Sequence, residues 1–322
     1  MVNLLEKKSS SKEILNSLKA VSDETRIRIL NILSFGAFHV NEIVRVLGMG
    51  QSRISRHLKI LSDAGLLQSQ REGSWVYYKL AENTHSISFP KELTELLISY
   101  KEELASREID QKKVAEILDE REKRSSSYFN QIGKNLDLIQ SEVMNPEVYR
   151  KWVTKTIPSN SNLVLDLGCG AGELLSHLLP KATKLIGIDS SIKMIEEASL
   201  LHKKNKKVNF IHTNLENLPL KDKTADAIVA SMVLHHISNP PLVIGEAHRI
   251  LKPEGNLTLV DIKKHDKEFM RDKFADLWLG FEPELLRKWL EEQGFQIAEL
   301  GEIQTSSGFV LLTIKANKKR RT

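Results

Sequence analysis

The chain has 322 residues, carries a net charge of +5 and contains a single cysteine. That length allows about two to three domains, each with its own core, and the mild basic excess is compatible with nucleic acid as a partner. One cysteine excludes an intramolecular disulfide and fits a reducing cytoplasm, and no apolar run approaches the roughly eighteen residues of a membrane span.

The first third predicts a small helical domain. Leu15, Leu18, Ile27, Ile29, Leu30, Ile32 and Leu33 recur at mixed three- and four-residue spacings, which predicts two packed helices. Residues 40–48 read as a third helix that stops at Gly48. In the next helix, 51–61, Ile54, Leu58 and Leu61 form one apolar stripe. Its other face offers Gln51, Ser52, Arg53, Ser55, Arg56 and Lys59. Short polar and cationic groups of this kind suit a helix entering a major groove between phosphates. Residues 68–80 alternate as a hairpin turning at Arg71-Glu72-Gly73-Ser74, which makes Arg71 a further candidate DNA contact and the hairpin a wing.

The phrases Ser22-Asp23-Glu24-Thr25-Arg26-Ile27-Arg28, Ser55-Arg56-His57-Leu58-Lys59-Ile60-Leu61 and Arg71-Glu72-Gly73-Ser74-Trp75 resemble the ArsR/SmtB winged-helix regulators. The resemblance implies binding to double-stranded operator DNA. The best-known sensing site of that family is a cysteine pair in the third helix. Here the matching stretch reads Phe38-His39-Val40-Asn41-Glu42-Ile43, without cysteine, so thiolate sensing of soft metals is not expected. No metal site is read from the sequence.

Residues 89–127 form a highly charged segment in which Leu93, Leu96, Leu97, Tyr100 and Leu104 keep helical spacing. A helix lying on its own domain would show this pattern. In the resembling regulators a helix after the wing builds the homodimer, and palindromic DNA sites favour a two-fold protein. Ser125-Ser126-Ser127 reads as a break, and 128–153 as helices covering the entrance to a second site.

That second site starts at Val164-Leu165-Asp166-Leu167-Gly168-Cys169-Gly170-Ala171-Gly172. An apolar strand runs into an acidic residue and a glycine turn, where backbone passes close to a ligand. The spacing is G-x-G-x-G, not the G-x-G-x-x-G of dinucleotide folds, and Asp166 would repel a pyrophosphate but suit an ammonium group. About twenty residues on, Lys184-Leu185-Ile186-Gly187-Ile188-Asp189 places a carboxylate where such folds accept ribose hydroxyls. Further strands at 208–212, 226–231 and 256–262 alternate with a helix at 241–251, arguing for a parallel sheet.

From 163 to 262 the sequence resembles class I methyltransferases, which implies S-adenosylmethionine or S-adenosylhomocysteine as cofactor. Asp166, Gly168, Gly170, Gly172, Asp189, Ser190 and Ser231 match the cofactor motifs, and Asn214 and Leu215 match the loop that caps the adenine. His235 and His236, at the end of the fourth strand of this domain, are weak candidates for a catalytic role, and Cys169 reads as a packing residue. Arg271 and Asp276 read as a surface ion pair, and 318–321 as a solvated basic tail.

The whole is similar to ArsR-type regulators fused to a methyltransferase domain, a group with at least one member that acts as a repressor sensing S-adenosylhomocysteine. The expected organisation is a winged helix at 1–88, a helical and dimerising segment at 89–127, and an α/β Rossmann-like domain at 128–322. Two functions are compatible with it. One is a cytoplasmic transcriptional regulator with the cofactor as effector. The other is an active methyltransferase of a small-molecule acceptor, regulated or localised by its winged helix.

Overall fold

The structure, a computed structural model, describes residues 10–72, 75–81, 88–132 and 145–319. The chain divides into two compact units, Met1–Arg121 and Glu122–Thr322. Gly73 and Ser74 of the expected wing turn lie outside the described residues, as do 133–144 of the expected covering helices and 320–322 of the tail. No described helix is long and apolar enough to cross a membrane.

The first unit contains α1 (Ser11–Val21), α2 (Glu24–Leu33), α3 (Val40–Leu47) and α4 (Gln51–Asp63). Ser10 caps α1 and Asp23 caps α2, each accepting from an amide three residues on. A three-stranded sheet follows the order β1-β3-β2, with β1 at Phe38–His39, β2 at Leu67–Glu72 and β3 at Trp75–Leu80. The antiparallel pair β2–β3 is the wing. Ile29, Leu30, Phe38, Ile43, Ile54, Leu58 and Leu61 are fully buried at the centre of this unit.

Beyond the wing, one further helix and the first part of the next belong to the same unit. Leu93 of α5 (Phe89–Ser99), with Val114 and Ile117 of α6 (Arg107–Ile132), joins the core of the winged helix. The first part of 89–127 is therefore packed domain structure, not a free linker. Three arginine–carboxylate pairs also fasten α6: Arg28–Asp110, Arg45–Glu120 and Arg121–Glu42. The serines 125–127 do not break α6, which continues through them to Ile132. Serine costs a helix little, and a break needs glycine or proline.

The periodicity also misassigns one face. Leu15 and Leu18 of α1 are 55% and 45% exposed, while Ser17, Ala20 and Val21 turn inward. Leu96 and Tyr100 are likewise exposed, although Leu93 on the same helix is buried.

The second unit is built on a seven-stranded sheet of order β6-β5-β4-β7-β8-β10-β9. Its strands are β4 (Ser161–Leu167), β5 (Ala182–Asp189), β6 (Val208–His212), β7 (Ala225–Ser231), β8 (Leu251–Ile262), β9 (Phe295–Gln304) and β10 (Val310–Lys318). The first five are parallel and β10 runs antiparallel between β8 and β9. Strand order reverses between β4 and β7, and there a crevice opens outside the carboxyl ends. Fully buried Val164, Leu165, Leu185, Ile188, Ile228 and Val229 explain why these strands read as continuous apolar runs. Lys318 is not part of a solvated tail. It is buried in β10, and its ammonium donates to the carbonyls of His248 and Leu251.

Candidate functional site

A cleft of about 730 Å³, including the space open to solvent, lies at the strand-order reversal. Its walls come from the ends of β4, β5 and β7 with the segments that follow them, from the loop after β6, and from Phe129, Tyr149 and Arg150. Of the expected cofactor residues, Asp166, Gly168, Gly170, Asp189, Ser190, Leu215 and Ser231 line this cleft.

The glycine turn takes its shape from left-handed backbone. Gly168, Gly170 and Gly172 have φ of 71°, 52° and 89°, a region that residues with a Cβ rarely adopt. The amides of Gly168 and Cys169 both donate to the Ile188 carbonyl, at 2.8 and 3.0 Å, which docks the turn on the end of β5. From that end the Asp189 carboxylate accepts from the Gly170 amide at 2.9 Å and the Ser191 amide at 2.8 Å. Each oxygen thus takes one fixed bond and keeps a lone pair for a further donor.

Asp166 has a different environment. Its side chain is 1% exposed, and among the described residues neither carboxylate oxygen has a hydrogen-bond partner. Burial, reinforced by the Asp189 charge, raises its carboxyl to about 8. A buried, unpartnered acid on a cleft wall is a receptor for a cationic or hydrogen-bond-donating ligand. Cys169 is buried beside it, with its thiol pushed well above the usual range by burial, as expected of a packing residue.

Two of the expected residues serve the surrounding frame. Gly172 precedes the helix Glu173–Leu178, and its carbonyl meets His202 Nε2 at 2.8 Å. A Cβ there would sit 3.0 Å from that of Ala198, so this glycine permits helix packing. Asn214 turns its side chain back to accept from the Glu216 amide at 2.8 Å and shapes the loop that presents Leu215.

The two histidines part company. His236 lines the cleft, with Phe129 edge-on at 4.9 Å between ring centroids. His235 is buried behind it, its Nδ1 2.6 Å from Asp261. Burial disfavours the charged ring, but Asp261 and Asp276 outweigh it and bring His235 to about 9. Burial and the neighbouring His235 push His236 well below its usual range.

Sequence reasoning also missed several neighbours. Met232 sits on the cleft wall with φ 55°, a strained conformation for a side chain of its size, held by a hydrogen bond that its backbone N–H donates to the Val260 carbonyl at 2.7 Å. Asp276 is not on the surface. It is 3% exposed, and Arg271, also buried, donates to the Leu277 carbonyl and pairs with Glu268 at 3.4 Å. The short helix Phe269–Phe274 ends at Ala275 in a left-handed turn, so helical spacing does not carry past it.

In the first unit the expected DNA-contacting residues of α4 share one exposed face. Gln51, Ser52, Arg53, Ser55, Arg56 and Lys59 are exposed, whereas Ile54, His57, Leu58 and Leu61 are buried. Lys59 pairs with Asp63 at 3.5 Å on the helix surface, and Arg71 is exposed on β2 of the wing. The residue not singled out is His57, buried with its Nδ1 3.9 Å from Asp23 at the start of α2, and burial lowers its ring below the usual range.

Comparison with known proteins matches both units. A model described as methyltransferase domain matches residues 165–259, and one described as bacterial regulatory protein, arsR family, matches residues 23–69. The demethylmenaquinone methyltransferase of Thermotoga maritima is 31% identical over 163 residues, 49% of this chain and 69% of that protein. The enzyme of the same name from Symbiobacterium thermophilum is 27% identical over 176 residues, 51% of this chain and 69% of that one. Among solved structures, a chain of the complex between the Haloferax volcanii Trm112 methyltransferase activator and a methyltransferase aligns with TM-score 0.52 at 17% identity. That alignment covers 60% of this chain and 98% of the other, and it bears on the fold alone. The chain belongs to the class I methyltransferases and joins to that domain an arsR-family winged helix of the bacterial regulatory proteins.

Proposed function

We propose that the chain is a DNA-binding transcriptional regulator whose methyltransferase domain binds S-adenosylmethionine or S-adenosylhomocysteine as effector. The observation that carries this reading is the pair of carboxylates in one cleft. Asp189 is held by two amides with lone pairs to spare, and Asp166 is buried without a partner. These suit, respectively, the ribose hydroxyls and the ammonium group of such a cofactor. Gly168 and Gly170 let backbone approach it, and Leu215 offers an apolar wall for the adenine. Bound S-adenosylmethionine supplies an electrophilic methyl group. The residues of the chain bind and orient it, and transfer to an already nucleophilic acceptor needs mainly alignment.

The regulator half rests on the exposed polar face of α4 next to an arsR-family wing, a chemistry suited to operator DNA in the cytoplasm. The protein acts as a homodimer in this reading. Leu15, Leu18, Leu96 and Tyr100 leave apolar side chains of α1 and α5 exposed, and a second copy of the chain covers them. Residues 89–127 carry the coupling, as part of a path from the winged helix toward the cofactor domain. The dimerising role of 89–127 and the cofactor-binding role of 128–322 stand on the same footing.

Calorimetric titration with each cofactor form, alone and with duplex DNA selected from a random pool, tests the proposal. Coupling of this kind is reciprocal and amounts to about 1–3 kcal/mol. S-adenosylhomocysteine is expected to release DNA more effectively than S-adenosylmethionine. Equal DNA affinity with either form and with neither would remove the effector role. The second reading, an active methyltransferase of a small-molecule acceptor, is favoured by His236 on the cleft wall and by the named activity of the relatives. Turnover without any effect on DNA binding would select it.

A further inference from the structure

Behind the cleft wall, His235, His236 and Asp276 come together, and each offers one ligand atom. These atoms lie within 4.8 Å of one another. Asp276 Oδ1 is 3.9 Å from His235 Nε2 and 3.7 Å from His236 Nδ1. A tetrahedral ion with bonds of about 2.1 Å holds its ligand atoms about 3.4 Å apart. Closing the two carboxylate–imidazole pairs takes a few tenths of an ångström, the widest ligand pair closes by up to about 1.4 Å, and His236 Nδ1 exchanges its 3.4 Å contact with the Ala275 carbonyl for the ion.

Two further features suit this group to a cation. Asp276 is 3% exposed, and neither of its oxygens has a hydrogen-bond partner among the described residues. Without an ion the protonated His235 ring offsets that charge only from 3.9 Å, whereas a bound cation would meet the carboxylate at bonding distance. In addition, His235 is oriented as a metal ligand usually is. Its Nδ1 meets Asp261 at 2.6 Å, and the other Asp261 oxygen is fixed by the Leu234 amide at 2.9 Å. A carboxylate gripping one imidazole nitrogen leaves the other for the ion. The Leu277 and Trp278 amides both donate to the His235 carbonyl, at 2.9 and 3.0 Å, and so tie the loop carrying Asp276 to the histidine pair.

We infer that His235, His236 and Asp276 form a binding site for a divalent transition-metal ion of the zinc class, on the wall of the methyltransferase cleft. Two imidazoles and one carboxylate, without thiolate, select borderline ions over soft ones. Three protein ligands leave a coordination position for an exchangeable group, and His236 borders the cleft from which that group would come. Asp261 is a positioning residue for His235.

The full-length protein, stripped with chelator and exchanged into metal-free buffer, is titrated with Co²⁺ and followed by visible absorption. Cobalt bands saturating near one ion per chain and displaced by Zn²⁺ are expected. Asp276→Asn and His236→Gln should each abolish the bands or weaken binding more than tenfold, with circular dichroism unchanged. Asp261→Asn should weaken it about 10- to 100-fold while retaining the bands at saturation. Absence of bands in the wild type would overturn the site. So would bands that survive in both ligand variants, and the cluster would then be a proton-bridged Asp261–His235–Asp276 array. Two ligand variants guard against one that fails to fold.

Discussion

Asp189 accepts a hydrogen bond from the Gly170 amide at 2.9 Å, so the carboxylate ending β5 fastens the glycine turn that follows β4. One side chain thereby shapes the floor of the cleft and keeps acceptor capacity for a ligand. The adjoining Asp166 has no such local duty, and neither of its oxygens has a hydrogen-bond partner among the described residues. Separate roles for the two acids make separable predictions.

Asp189→Ala removes both the turn fastening and the proposed ribose acceptor. Cofactor affinity should fall by about 1.5–3 kcal/mol, with a smaller loss of thermal stability because the Gly170 and Ser191 amides lose their partner. Isothermal titration calorimetry and thermal unfolding measure the two effects. Unaltered affinity in a folded variant would contradict the assignment of this carboxylate.

Gly168→Ala tests the backbone of the turn. Gly168 has φ 71°, and an added Cβ would lie 2.3 Å from Val233 Cγ2. Strain and overpacking together should cost about 1–3 kcal/mol, seen as a lower denaturant midpoint. Gly48→Ala is the control, because it has φ 66° with no atom within 4 Å of the added Cβ. It should lose only the backbone-strain part.

Asp166 gives the ligand-free protein a pH signature. Its carboxyl, raised to about 8 by burial and then by Asp189, stays protonated in the folded chain over a range where the unfolded chain has ionised. Between about pH 4 and 8 the unfolded state therefore binds fewer protons, and stability declines as pH rises through that window. Asp166→Asn should flatten that part of the profile in urea titrations. A cationic ligand that ionises Asp166 should also release a proton on binding at neutral pH, read as a buffer-dependent calorimetric enthalpy. Parallel profiles for wild type and variant would refute this account.

Arg53→Ala and Arg56→Ala should weaken DNA binding without changing thermal unfolding, since both side chains lie on the exposed face of α4. A contact to a guanine edge is worth about 1–3 kcal/mol and is sequence-selective. A phosphate contact instead weakens all sequences and flattens the dependence of affinity on salt. Fluorescence anisotropy at several salt concentrations separates the two.

Arg121→Ala should destabilise the winged-helix unit. Arg121 Nε meets Glu42 at 2.8 Å, its other nitrogens reach the Ala37 carbonyl at 3.1 and 3.2 Å, and both side chains are about nine-tenths buried. Removing one partner of such a buried pair costs about 3–5 kcal/mol. Chemical denaturation followed by Trp75 fluorescence measures it. A loss under about 1 kcal/mol, the range of surface pairs, would show that the pair adds little.

The sequence by itself determined what depends on local pattern. The G-x-G-x-G turn after an apolar strand, the carboxylate ending the next strand, and the apolar stripe of α4 are all short-range features. Backbone conformation and side-chain periodicity decide them within about twenty residues. That is why Asp166, Gly168, Gly170 and Asp189 could be brought to one cleft on paper. Only the tertiary structure decided which apolar residues found a partner. Leu15 and Leu18 repeat as well as Leu30 and Leu33 do, yet they stay exposed, because burial depends on what packs against each face. It also decided that the first part of α6 belongs to the winged-helix core, through ion pairs such as Arg28–Asp110 between residues far apart in the chain. The grouping of His235 and His236 with Asp261 and Asp276 has the same origin. The strand β8 and the turn at Ala275 bring these side chains together, and no spacing along the chain encodes that distance.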